Sequence, residues 1–74
     1  ADYKTALKVW MPAAEAGDAE AQAHVGEIFE RGLGGSPNYV AAITWYRKSA
    51  AQGNTRAQFN LGTLYEQGLG VEKS

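Results

Sequence analysis

His24 is the only histidine in the 74 residues, and Glu20 and Glu27 stand four residues before it and three after it. On a helix these spacings put both carboxylates on the histidine's face, an arrangement that could share a proton or hold a weak zinc ion. The simpler reading is an exposed histidine on a charged helix face, and no metal is assigned. Nucleophilic catalysis would need a base held beside Ser36, Ser49 or a threonine, and a lone histidine allows one such pairing at most. Gly32, Leu33, Gly34 and Gly35 superficially resemble a phosphate loop, but no strand precedes them and no lysine follows in place. The same pattern returns at Gly68, Leu69 and Gly70, which makes it punctuation. Glu30 and Glu66 read as solvated or helix-end charges. No catalytic residue and no cofactor follow from these side chains.

The elements that carry them repeat. Gly17, Gly26, Gly32 and Gly34 recur as Gly53, Gly62, Gly68 and Gly70, each pair 36 residues apart. At the same offset Tyr3 meets Tyr39, Ala6 Ala42, Ala14 Ala50, Ala21 Ala57, Gln22 Gln58, Glu30 Glu66 and Leu33 Leu69. This is a tandem repeat. Tyr39, Ala42, Ile43, Tyr46 and Ala50 form one stripe of a 3.6-residue period, repeated by Tyr3, Ala6, Leu7, Trp10 and Ala14. These are the A helices. Ala57, Leu61, Leu64 and Tyr65 form a second stripe, matched by Ala21, Val25, Ile28 and Phe29, and these are the B helices.

Gly17 then Asp18, and Gly53 then Asn54, predict a left-handed C-terminal glycine followed at once by an N-cap. A and B are then antiparallel across a tight turn. Ser36 as cap and Pro37 at the first helical position restart the chain. Mid-helix glycine costs about 1 kcal/mol against alanine, so Gly26 and Gly62 predict a neighbouring helix in close approach. Pro12 inside the first A helix removes a hydrogen bond to the carbonyl four residues back and should kink or loosen it.

The order Ala57, Gln58, Leu61, Gly62, Tyr65, Gly68, Leu69, Gly70, Val71, with Trp45, Tyr46, Ala50, Ala51, Gln52 and Gly53, resembles the Sel-one-like repeat family. The first copy departs from it at Val9, Pro12, His24 and Gly35. The resemblance implies an all-α, tetratricopeptide-like α/α solenoid of two helix-turn-helix repeats, four antiparallel helices in a right-handed superhelical segment. The chain then reads as a single domain over 1–74, repeat 1 at 1–36 and repeat 2 at 37–74, cut off where a third unit would start. The resemblance also implies a non-catalytic scaffold for protein or peptide binding within larger, often bacterial, signalling or cell-envelope proteins.

Trp45 lies one residue, about 100°, off the stripe of Ala42 and Tyr46. It should sit partly exposed, either at the seam between repeats or on a binding surface. Arg47, Lys48, Gln52 and Arg56 are its polar neighbours on such a surface. Two alternatives stand beside the scaffold: a structural spacer, and a glycan or small-ligand site stacking on Trp45 and Tyr46. Tyr3, Tyr39, Tyr46, Trp10, Phe29 and Tyr65 read as core.

Composition narrows the partners. Hydrophobic residues make up 45% and charged residues 20%, which fits a folded chain, and with no cysteine neither disulfides nor thiolate metal sites reinforce a thin core. A net charge of −1 gives no electrostatic pull toward nucleic acid or an anionic membrane. The longest apolar run is far short of the roughly 20 residues of a membrane span. Residues 1–36 carry three positive and six negative side chains and 37–74 four and two, so the halves hold −3 and +2. That asymmetry favours head-to-tail contact between copies, modestly in salt. The chain begins at Ala1 and reads as an excerpt or a processed product, with the compartment open. Two repeats are fewer than the three or so that a solenoid normally needs. The last B helix should therefore expose an apolar face including Leu61, Leu64 and Tyr65, covered by further repeats or by another copy.

Overall fold

The computed structural model describes residues 3–32 and 35–71. Four helices run in chain order: α1 (Tyr3–Glu15), α2 (Ala19–Arg31), α3 (Tyr39–Ala51) and α4 (Thr55–Gln67). No strand occurs among the described residues. The result is an all-α segment of two helical hairpins, α1 with α2 and α3 with α4, joined through α2 and α3.

Local chemistry sets the boundaries. Gly17 and Gly53 adopt φ of 103° and 91°, a region closed to most side chains, and end α1 and α3. The next residue caps the following helix: Asp18 accepts from the Ala21 amide at 3.0 Å and Asn54 from the Ala57 amide at 2.8 Å. Three-residue turns of this kind leave the flanking helices antiparallel. α3 starts differently from the sequence reading. Its cap is Asn38, which accepts from the Ala41 amide at 3.0 Å, and the helix begins at Tyr39, after Ser36 and Pro37. The Asn38 amide is itself tied to the Phe29 carbonyl at 2.9 Å, which fixes that side chain at the helix mouth. Leu33 and Gly34 lie outside the described residues. Leu69, the matching leucine, packs partly buried against the core.

α1 continues through Pro12, so the proline does not end the helix. The carbonyl that proline leaves free belongs to exposed Lys8, where water can serve it.

Two apolar clusters hold the hairpins. One joins Ala14, Ala21 and Val25, backed by Leu7, Trp10 and Met11. The other joins Ala23 of α2 with Ala42, Ile43 and Tyr46 of α3 and Ala57 and Leu64 of α4. The second cluster draws on both repeats, so the repeats share a core.

Tyr46 is the centre of that seam. Fully buried, it lays its ring on Gly26, where an added Cβ would meet ring carbons at 2.6 and 2.7 Å. The close approach foreseen for Gly26 is thus real. For Gly62 it is absent: nothing lies within 4 Å of a Cβ built there. Leu64 also departs from expectation, being 1% exposed in the core, because its stripe faces α3. Tyr65, read both as core and as part of the exposed face of the last B helix, is 40% exposed, and Leu61 is half-buried against the cluster. Among the described residues, Phe59 is the most exposed large apolar side chain, at 74%. The side chain of Tyr3 lies outside what the structure describes.

Candidate interaction surface

Four of the five residues singled out around Trp45 meet at the seam between repeats. Trp45 is half-buried and packs against the cluster of Ala14, Ala21 and Val25. Its residual face lies under the Lys48 ammonium, 5.3 Å from the ring centroid. Gln52 donates to the Gln22 side chain at 2.9 Å. Arg56 lies 3.4 Å from His24 Nδ1 and 3.5 Å from Glu20 Oε1. Arg47 is elsewhere: on α3 it stands roughly 200° around from Trp45, donating to the Tyr65 hydroxyl at 2.6 Å and lying over that ring. The five therefore form a seam strip and one separate cation.

His24 is not a solitary exposed residue. It stacks on Trp10 with centroids 4.2 Å apart and turns Nε2 toward Glu20 Oε1 at 3.6 Å. Of the two carboxylates expected beside it, Glu20 is the one His24 faces. No group of three or more potential metal ligands converges among the described residues. Glu20 and Arg56 are largely exposed, so their ion pair contributes about 1 kcal/mol at most.

Sequence reasoning missed the role of Glu30. It accepts from the Tyr46 hydroxyl at 2.6 Å, and Asn60 donates to the same hydroxyl at 3.3 Å. It is therefore a seam partner, not a solvated helix end. The signal available was the pairing of a repeated glutamate with an aromatic one unit on, which spacing alone does not reveal. Burial also removes Tyr46 from any sugar-stacking platform with Trp45, since its ring is covered by α2.

Burial first, then the hydrogen bond to Glu30 and its charge, push the Tyr46 phenol far above its ordinary range. The folded state thus favours the neutral phenol more than the unfolded state does. The stability this contributes is complete below the unfolded value of about 10 and declines as pH rises above it. Alkaline titration followed by tyrosinate absorbance and circular dichroism should show one tyrosine ionising together with loss of helix. Ionisation of all four with the helices intact would contradict this placement.

No described helix is long and apolar enough to cross a membrane. Neither the comparison with curated proteins nor that with solved structures gave a match. The family model of the Sel1 repeat matches residues 19–54 and 55–74, most of the chain. Those segments start where α2 and α4 start, half a unit later than the 1–36 and 37–74 frame. The shared seam, the glycine-ended hairpins and this match lead to one conclusion: the chain belongs to the Sel1 repeat family, whose tetratricopeptide-like helical solenoid repeats are generally non-catalytic protein-interaction scaffolds.

Proposed function

We propose that this protein is a scaffold that binds a protein or peptide along the seam strip of Trp45, Lys48, Gln52 and Arg56, with Arg47 serving a separate face. The supporting observation is that groups from both repeats hold the strip in place, so its cations and indole are presented without further ordering. The setting we favour, from the resemblance alone, is a larger bacterial signalling or cell-envelope protein. A photo-crosslinking residue in place of Lys48, in the host cell, should capture a polypeptide that the same residue at exposed Gln67 does not. Equal capture at both positions, or none, refutes the reading.

A structural spacer is the second reading, favoured by the seam contacts of Trp45, Gln52 and Arg56. It predicts no capture at position 48 and a lower melting temperature for Trp45→Ala.

A further inference from the structure

His24 meets a side chain from each of three helices, and their chemistry suits one protonation state of its ring. From α1 comes the Trp10 ring, stacked with centroids 4.2 Å apart and planes at 26°. On α2 itself Glu20 Oε1 lies 3.6 Å from Nε2, and Glu27 stands three residues on. From α4 comes Arg56, whose Nη2 lies 3.4 Å from Nδ1 and 3.5 Å from that same Glu20 oxygen. Glu20 Oε2 also accepts from the Asn54 side-chain amide at 3.5 Å, so one carboxylate ties α2 to the N-terminal end of α4.

A guanidinium only donates, so the contact with Arg56 needs a bare lone pair on Nδ1. The neutral ring then carries its proton on Nε2, the nitrogen that faces Glu20. A second proton would go on Nδ1, where it removes the acceptor and sets two cations 3.4 Å apart at their nearest nitrogens. Arg56 is the partner that yields. The Trp10 face and the Glu20 carboxylate both attract an imidazolium, which keeps His24 in place. The Arg56 side chain is 41% exposed on a flexible stem, and water can solvate the guanidinium once it leaves.

We propose that His24 is a pH-sensitive latch on Arg56: in its neutral form it holds the guanidinium across the seam between repeats, and on taking a proton it releases the guanidinium to solvent. Imidazole ordinarily changes charge between about pH 5 and 8, so the latch opens under mild acidity. The stability that the Arg56 contact contributes is present with the neutral ring and declines as pH falls through the histidine range. Opening frees one cation of the seam strip, but the latch does not rest on that strip binding a partner.

The first test reads the tautomer directly. Long-range proton–nitrogen correlation on the nitrogen-labelled chain at about pH 7.5 should place the proton on Nε2 and leave Nδ1 bare. The second compares the melting temperatures of the parent and Arg56→Ala. Their gap at about pH 7.5 should shrink at least about twofold at about pH 5.5, where an ordinary imidazole is mostly protonated and an ordinary carboxylate still ionised. In a His24→Gln background, which cannot take the proton, the gap should be the same at both values. A proton on Nδ1 at neutral pH overturns the proposal, as does a gap that is absent there or fails to shrink. Equal shrinkage in the His24→Gln background overturns it too, by giving the pH dependence to the carboxylates.

Discussion

Tyr46→Ala is expected to cost about 3–5 kcal/mol, the range for truncating a buried aromatic side chain. A domain of this length holds roughly 4–11 kcal/mol in all, so the variant should lose a large fraction of its stability and unfold at a much lower urea concentration. The size of the effect follows from the position of the ring, which touches α2 through Gly26, belongs to the cluster shared with α4, and satisfies Glu30 and Asn60 through its hydroxyl. Removing it opens the larger of the two apolar clusters through which α3 meets the first hairpin. Tyr46→Phe separates the two contributions. It keeps the ring on Gly26 and leaves the half-buried Glu30 carboxylate without its donor, a loss of about 1–3 kcal/mol. Urea unfolding followed by circular dichroism measures both. A loss for alanine no greater than that for phenylalanine would show that the ring does not join the repeats.

The second large effect is a reversal of sign between equivalent positions. Gly26→Ala gains about 1 kcal/mol of helix propensity but forces a methyl into the Tyr46 ring, an overpacking that costs typically 1–3 kcal/mol. The ring is enclosed and cannot retreat, so the net result is destabilisation, with a melting temperature lower by several degrees for a domain this small. Gly62→Ala meets nothing and keeps the propensity gain of about 1 kcal/mol, so its melting temperature should rise by a similar amount. Thermal unfolding of the two single variants side by side suffices. Shifts of the same sign would contradict either the contact at Gly26 or the empty space at Gly62.

That contrast marks the boundary between what the repeat pattern conveys and what it does not. Period, apolar stripes and glycine turns are local features, each set by a few adjacent residues. Asp18, Asn54, Gly17 and Gly53 therefore behave as their types require. Ser36 and Pro37 failed as a start signal because Asn38, one residue further on, offers a competing acceptor anchored from Phe29 across the turn. Among the candidate surface residues, Trp45 was placed correctly at the edge of its stripe. Its choice of seam over open surface depended on Ala14, Ala21 and Val25, which lie in another repeat. Arg47 shows the same limit: adjacent to Lys48 in sequence, it turns to Tyr65 because consecutive helical residues diverge by about 100°.

By itself, then, the sequence determined four helices, their antiparallel pairing and the repeat of 36 residues, because backbone conformation at glycines, caps and helical stripes is decided within a turn or two of chain. Tertiary structure decided which of two equivalent faces is filled. Gly26 and Gly62 sit in similar local sequence and differ only in whether a helix from the next unit lies against them. Burial of Leu64, exposure of Phe59 and the bond from Tyr46 to Glu30 belong to the same class. Each turns on the presence or absence of a neighbour from another helix, which helical periodicity does not encode.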